Sequence, residues 1–333
     1  MNIDRSALEK AAKENIISAE QVEPLYQFIQ TQSSPEMIDE NPIPLKFVRS
    51  FGDIFVSLGI ILLVIAINMS NITGPMHLIP VVIYIGLAEW LVRGRRLVLP
   101  GIAILISILY FTNKAVPLEN ENTALLASSM ISLISLLFYL RYKMPFSLLP
   151  LALGLVGLSI SSIGLGILEN PMLFVLFGFI IFIAALWFDA KDTQRVLHLS
   201  DNAFWLYLIA SPLIIHGVMI TLITSDAVWI KSVNIEILMI SFFILFFLIA
   251  LLIDRRVMLI STQLYMIYAL TQLIQNNSSN VESAIMYSLI GLSLVVIYFG
   301  TYWYKSRRIL FGFIRNTPVA QFIPDLNTSD VID

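Results

Sequence analysis

The chain has 333 residues, of which 58% are hydrophobic and only 13% are charged. A soluble globular domain has about 45–50% apolar and about 25% charged residues, so this composition excludes a soluble enzyme and a disordered chain. The net charge is −3 and no basic block occurs, which excludes a nucleic-acid-binding protein. We predict a multi-pass membrane protein whose partner is the lipid bilayer.

Residues 1–48 are too polar to span a membrane, and they contain two helix-start patterns. Ser6–Glu9 and Ser18–Gln21 both have the capping-box form. The predicted amphipathic helices span about 6–16 and 18–32, and a linker follows. Pro24 either kinks the second helix or marks its true start. Because two helices form a small core, we expect this segment to dock on the membrane domain, on a second copy in a homo-oligomer, or on a cytoplasmic partner.

Ten apolar segments follow within residues 49–304, and each is close to the ~20 residues that a helix needs to cross a bilayer. Their approximate limits are 51–69, 76–92, 97–112, 123–140, 146–168, 171–188, 203–224, 235–253, 257–275 and 284–304. Lipid offers no partner for backbone amides, and runs such as 240–247 do not alternate as a β-barrel strand would. The predicted fold is therefore an all-α transmembrane bundle.

Basic residues are concentrated in alternate connections between these segments. One side has only Lys114 and Lys231. The other side carries Lys46, Arg49, Arg93, Arg95, Arg96, Arg141, Lys143, Lys191, Arg195, Arg255, Arg256, Lys305, Arg307, Arg308 and Arg315. The positive-inside rule places the second side and both termini in the cytoplasm, and ten spans satisfy that parity. The turns near Arg93, Arg141 and Arg255 share a form, which indicates either a duplicated two-helix hairpin or the ordinary pattern of packed hairpins with a basic turn.

Residues 305–333 form the third predicted region. The stretch from Lys305 to Arg315 is basic and apolar, which is typical of a segment lying on the inner leaflet. The final residues, 325–333, are predicted to be disordered.

Chemistry-bearing motifs are scarce. The chain has no cysteine, and its three histidines, His77, His198 and His216, lie far apart. No HExxH motif, Walker loop, potassium-channel filter or paired-aspartate protease signature occurs. The sequence therefore predicts no metal, no cofactor and no catalytic residue, and it disfavours an enzyme.

His216 is the most central ionisable residue of any span. It follows Pro212 by about one turn in the seventh segment, and Trp205, Pro212 and His216 fall on one helical face. Proline frees the carbonyl of Leu208, so a kinked helix here could present a carbonyl and an imidazole to a substrate. The alternative is a histidine that only hydrogen-bonds a neighbouring helix.

The ninth segment carries a polar stripe. Its members recur at spacings of three and four and fall on one face: Ser261, Tyr265, Tyr268, Gln272 and Gln275. The stripe should face other helices or water rather than lipid. It either lines a solute path or supplies interhelical hydrogen bonds.

Two further groups are structural candidates. Gly154, Gly157, Ser161 and Gly164 form a small-residue face that predicts close helix packing, with a hinge as the alternative. Asp53 and Glu89 stand four residues from Arg49 and Arg93, as expected of interfacial anchors, with ion or proton coordination as the alternative.

The stretch 200–216, which includes Asp201, Trp205, Pro212 and His216, resembles a family of bacterial, mostly proteobacterial, inner-membrane proteins of unknown function. That family has a similar Ser-Asp-x-Ala-Phe-Trp-Leu-x-Leu-x-Ala-x-Pro-Leu-Ile-x-His segment. The stretches 16–21 and 49–54 are similar to larger bacterial membrane proteins. The resemblance implies a bacterial inner-membrane location and brings no activity.

These patterns leave three functions open. The first is a small-solute or ion permease with a polar cavity between the seventh and ninth spans, where His216 is a proton-sensitive contact. The second is a membrane scaffold or sensor that acts through residues 1–48. The third is an intramembrane enzyme, because Asp53, Glu89, Asp189 and Asp201 all lie near the inner leaflet.

Overall fold

The computed structural model of the protein describes residues 8, 12, 14, 17–26, 51–70, 72–116, 121–163, 170–193, 195, 198–224, 234–275, 280–318 and 322–324. Within these residues the chain is helical and contains no strand, which confirms the all-α prediction. The chain divides into two compact units, Met1–Ile43 and Pro44–Asp333. The division lies close to the predicted boundary at residue 48.

The first unit contains a helical turn at Ala19–Gln21 that continues as helix to residue 26. The Ser18 backbone N–H donates to Gln21 Oε1 at 3.1 Å, which is the reciprocal bond of the predicted capping box. Pro24 lies in the first turn, where its missing N–H costs little, so it is tolerated near a true helix start. Most of the predicted helix at 6–16 lies outside the described residues, although Leu8 is helical and buried.

The described residues of the second unit form ten α-helices, numbered here in chain order. They are α1 Phe51–Asn68, α2 Leu78–Ala88, α3 Val98–Ala115, α4 Glu121–Tyr142, α5 Leu148–Ile163, α6 Met172–Lys191, α7 His198–Thr224, α8 Ile235–Leu252, α9 Thr262–Gln275 and α10 Val281–Phe311. Short 3-10 turns precede α2, α5 and α9, and a π-helical segment, Glu89–Gly94, extends α2. With these extensions, all ten are long and apolar enough to cross a membrane, as predicted.

One helix end differs from the sequence prediction. The predicted tenth span ends at residue 304, whereas α10 runs on to Phe311 and is followed by a 3-10 turn, Gly312–Asn316. The residues 164–168 of the predicted fifth span lie outside the described residues, as do 325–333 at the C-terminus.

The helices pack into two clusters of buried side chains. The first surrounds α3 and includes Tyr84, Ile104 and Phe111. The second surrounds α7 and includes Tyr207, Ile215 and Met258. Within its most apolar stretch, α7 is 56% buried, whereas α10 is only 17% buried. The helix that carries His216 is therefore the centre of the larger cluster.

The turns after α2, α4, α6 and α8 meet at one end of the bundle, which we call the basic end. Cross-links between these turns include the hydrogen bonds of Arg141 to Glu89 and of Arg195 to Asp254. Each turn contains a residue with positive φ that is not glycine: Arg96, Lys143, Arg195 and Asp254, with φ of 53°, 52°, 57° and 57°. The next residue is extended in two of them, Leu97 and Met144. The shared sequence form of these turns thus corresponds to a shared conformation.

Candidate functional site

The seventh helix runs through Pro212 without interruption, from His198 to Thr224. Its buried face includes Ser211, Ile215 and Gly217, so the opposite face, with Pro212 and His216, is exposed. The Ser211 hydroxyl donates to the Tyr207 carbonyl at 2.7 Å, beside the position where proline removes a backbone bond. The proline and the histidine therefore stand together on an accessible stripe of the bundle.

His216 contacts the stripe of α9 at one residue. Its Nδ1 is hydrogen-bonded to the Tyr265 hydroxyl, and the two rings lie 6.0 Å apart between centroids. Phe174 of α6 presents its ring edge-on to the imidazole, also at 6.0 Å. Nε2 has no hydrogen-bond partner among the described residues. In the neutral tautomer that carries its proton on Nε2, the imidazole accepts the phenol hydrogen bond at Nδ1, whereas an imidazolium donates there, so protonation of that tautomer reverses this hydrogen bond.

The other stripe residues of α9 are placed differently. Ser261 Oγ is buried and has no hydrogen-bond partner among the described residues. Gln272 and Gln275 are half-buried, and Tyr268 is 44% exposed. Thr271, which lies off the predicted stripe, donates to Ser288 of α10 at 3.3 Å.

Trp205 is packed away from the imidazole. Its ring meets Phe146, before α5, edge-on at 4.8 Å between centroids, and Phe204 at 5.3 Å. The structure therefore brings His216 and Tyr265 together, and it seats Trp205 against a different helix.

Glu89 forms the pair with Arg93 that its spacing predicts, at 3.3 Å. It also accepts hydrogen bonds from Arg141 Nε at 2.9 Å and from the Tyr142 hydroxyl at 3.0 Å, both from α4. These bonds link the π-helical segment to the end of α4. The i,i+4 rule could find Arg93 but had no means of finding the two partners on another helix.

Asp53 and Asp201 lie in the first turns of α1 and α7. Asp53 is 4% exposed, so it is buried rather than placed on the surface as an interfacial anchor. Arg49, its expected partner, lies outside the described residues. Asp201 is half-buried. Of the four acidic residues considered for an enzyme, Glu89 pairs with Arg141 and Asp189 pairs with Arg255.

The Asp189–Arg255 pair is the centre of a buried polar cluster at the basic end. Arg255 Nε donates to Asp189 Oδ2 at 2.9 Å, and its Nη2 bonds Asp189 Oδ1 and the Ser200 hydroxyl, the latter at 2.8 Å. The side chains are 8% and 5% exposed. Burial disfavours the charged guanidinium, but the bonds to Asp189 outweigh it and raise the pKa of Arg255 above its ordinary value. The pair joins α6, α7 and the turn after α8.

Asp254 organises the neighbouring part of the cluster. Its carboxylate accepts from Arg195 at 2.7 Å and from the Trp303 indole N–H at 2.6 Å. Arg307, which is fully buried, lies 3.9 Å from the same carboxylate and donates to the Leu251 carbonyl at 2.9 Å. Arg307 also donates to the Pro324 carbonyl at 3.2 Å. This part of the predicted interfacial segment is thus packed into the bundle, and sequence reasoning missed it.

Small residues bring two helix pairs close together. A Cβ added at Gly154 would lie 2.5 Å from Ser132 Oγ, and one at Gly157 would lie 2.9 Å from Ser128 Oγ, so the α5 face packs on α4. Ser161 is half-buried, and Gly164 lies outside the described residues. A second contact was not anticipated: Gly178 of α6 receives Ile214, and Gly217 of α7 receives Val175, each at 2.7 Å from an added Cβ. Isolated glycines gave no spacing pattern from which this contact could be predicted.

No three histidine or acidic side chains gather into a metal-binding group in the part of the chain that the structure describes. The arrangement between α7 and α9 offers instead a titratable imidazole on an accessible face, a phenol that responds to its protonation, and an unpaired serine hydroxyl nearby in sequence. Comparison of the chain with protein-family models, with curated proteins and with solved structures gave no significant match.

Proposed function

We propose that this chain is a multi-pass protein of the bacterial cytoplasmic membrane, with both termini in the cytoplasm, and that it acts as a small-solute or ion permease. The location is supported by the ten apolar helices and by the resemblance of residues 200–216 to bacterial inner-membrane proteins. The orientation is supported by the arginines and lysines in the turns that meet at the basic end.

The observation that carries the permease function is the His216–Tyr265 pair between α7 and α9. An ionisable side chain at membrane depth is costly and usually has a functional role. Here the imidazole lies on an exposed face of α7 and bonds across to α9. Because protonation reverses the bond to Tyr265, a bound solute that favours one protonation state would couple its binding to a proton.

Thermal stability of the purified full-length protein against a panel of amino acids, sugars and inorganic ions tests this function. A solute at about 100 times its Kd should stabilise the folded protein by about 2.7 kcal/mol. We expect the stabilisation to disappear in His216→Ala and to lose its pH dependence in Tyr265→Phe. His198→Ala, at the basic end, and Tyr287→Phe, at an exposed position of α10, are the matched controls and should respond like the wild type.

Flux completes the test. Proteoliposomes containing a pH-sensitive dye should acidify or alkalinise when the stabilising solute is added outside. A solute that stabilises His216→Ala as strongly as the wild type, or a panel in which nothing binds and nothing moves, would contradict a permease site at His216.

A scaffold or sensor is the second candidate, and it is favoured by the compact first unit, Met1–Ile43. In that case residues 1–48 bind a cytoplasmic partner or a second copy, and the helices of the bundle anchor them. Cross-linking in membranes of the full chain and of a variant lacking residues 1–43 separates the two functions. A permease keeps its solute response after the deletion, whereas a scaffold loses its cross-linked partner and has no solute response to lose.

A further inference from the structure

A groove on the bundle surface lies between α8, α9 and α10, away from His216. It has a volume of about 150 Å³. Its lining is mainly aromatic and aliphatic: Phe243 and Phe247 of α8, Leu259 before α9, and Leu292, Val295, Val296, Phe299, Gly300 and Trp303 of α10. Compact ligand pockets usually have about 300–1,000 Å³, so this groove is better suited to a chain of methylenes than to a folded small molecule.

The basic end of the groove carries one cation, Arg256, beside the carboxamide residue Gln263. The Arg256 guanidinium lies over the rings of Trp303 and Tyr304, 5.1 Å and 5.4 Å from their centroids. The side chain is exposed, and it forms no ion pair within the described residues. Stacking fixes the guanidinium plane while its N–H groups remain available to an anion at the mouth of the groove.

Three features of the protein keep the groove open. The Trp303 indole is tied to Asp254 by its 2.6 Å hydrogen bond, so the ring cannot swing into the space. Gly300 supplies no side chain, and a Cβ added there would meet no atom within 4 Å. Helical geometry is interrupted at Tyr302, with φ −106° and ψ 28°, just before Trp303. The groove therefore exists because Gly300 has no side chain, because the helix is interrupted at Tyr302, and because a hydrogen bond to Asp254 holds the Trp303 ring in place.

We propose that this groove binds one acyl chain of an anionic phospholipid from the surrounding bilayer, with the lipid phosphate on Arg256. The apolar walls match the chain, and the stacked cation matches the phosphate. Val295 and Val296, which line the groove, are themselves 41% and 43% exposed, so the groove is open at the surface of the bundle and a lipid can enter it sideways without leaving the bilayer. This site is independent of the permease site at His216.

Native mass spectrometry of the purified protein with phosphatidylglycerol and with phosphatidylcholine of the same acyl chains measures the binding. We expect the anionic lipid to bind about fivefold more tightly, as one arginine near a headgroup predicts, and Arg256→Gln to abolish that preference. Arg95→Gln is the matched control, because Arg95 is also exposed and stacked, 5.5 Å from the Trp90 ring. It should leave the preference unchanged.

Gly300→Leu tests the groove rather than the charge. The new side chain has room, so it fills the groove without displacing protein atoms and should weaken both lipids several-fold. Gly291→Leu, on the same helix and with equally open space, should not. Equal losses in Arg95→Gln and Arg256→Gln, or unchanged binding in Gly300→Leu, would overturn the proposal. Stronger binding of palmitate than of phosphatidylglycerol would also overturn it, because the ligand would then be a free anionic amphiphile.

Discussion

The Asp189–Arg255 and Glu89–Arg141 pairs use the same chemistry in different surroundings. Each joins two helices at the basic end through an arginine that donates two hydrogen bonds to one carboxylate. The side chains of the first pair are 8% and 5% exposed, whereas Arg141 and Glu89 are 49% and 38% exposed. Removing one partner of a buried ion pair strongly destabilises the protein because the other charge stays buried, whereas removing one partner of an exposed pair costs little stability. The half of the bundle around α7 is therefore expected to depend on its charges, and the half around α3 is not.

The largest expected effect comes from Arg255→Ala. It leaves Asp189 buried without its guanidinium, which should lower the free energy of unfolding by about 3–5 kcal/mol. Equilibrium unfolding in mixed micelles measures the loss. Replacing both residues with leucine should recover most of it, because no charge is then stranded. A loss below about 1 kcal/mol for Arg255→Ala would mean that water reaches the pair, and the contrast with Glu89 would fail.

Trp303→Phe should have a smaller effect. It keeps most of the ring but removes the indole donor to the buried Asp254 carboxylate, which is expected to cost about 1.5–3 kcal/mol. The same unfolding measurement applies. Trp187→Phe, at an exposed position of α6, is the control and should remain close to wild type. If both variants unfold alike, the indole bond contributes nothing beyond packing.

Gly217→Ala tests the comparison between the two halves of the bundle through helix packing instead of charge. Its methyl group would stand 2.7 Å from the Pro171 carbonyl oxygen and 3.0 Å from the Val175 nitrogen, so α6 and α7 must separate. Overpacking of this kind costs about 1–3 kcal/mol. Gly86→Ala in α2 meets nothing within 4 Å and should be neutral or stabilising. Destabilisation of both to the same extent would remove the distinction between the two halves.

Glu89→Gln should have the smallest effect. Arg141 and Arg93 then lose an exposed partner that water can replace, so the unfolding free energy should barely change at physiological salt. A loss as large as that of Arg255→Ala would show that this end of α2 is desolvated by the bilayer.

The sequence was sufficient for the helices because each apolar run has the length that a membrane requires. The sequence also singles out His216 and Tyr265 as candidates, since the first interrupts an apolar run and the second belongs to a periodic stripe. Their hydrogen bond was not predictable, because it joins residues 49 positions apart on helices whose rotation no periodicity specifies.

The buried charges were overlooked for a different reason. Arg195, Arg255 and Arg307 were counted as loop cations that orient the chain, and in the structure each bonds to atoms 55 or more positions away. The sequence shows how many basic residues a turn has, but not which of their side chains are buried in the folded protein. The groove was not predictable from the sequence either, because it depends on the open space beside Gly300, where an added Cβ would meet no atom within 4 Å.

The left-handed residues in the turns of the basic end have a consequence for how the protein is made. Glycine would adopt this conformation without the penalty of about 1–2 kcal/mol that other residues incur, yet Arg96, Lys143 and Arg195 occupy three of the four positions. In the proposed orientation these three side chains are positive charges that determine the orientation of the helices as they insert into the membrane. We therefore expect Arg96→Gly and Lys143→Gly to stabilise the folded protein and to make its insertion less faithful, whereas Arg195→Gly would also remove the hydrogen bond to Asp254.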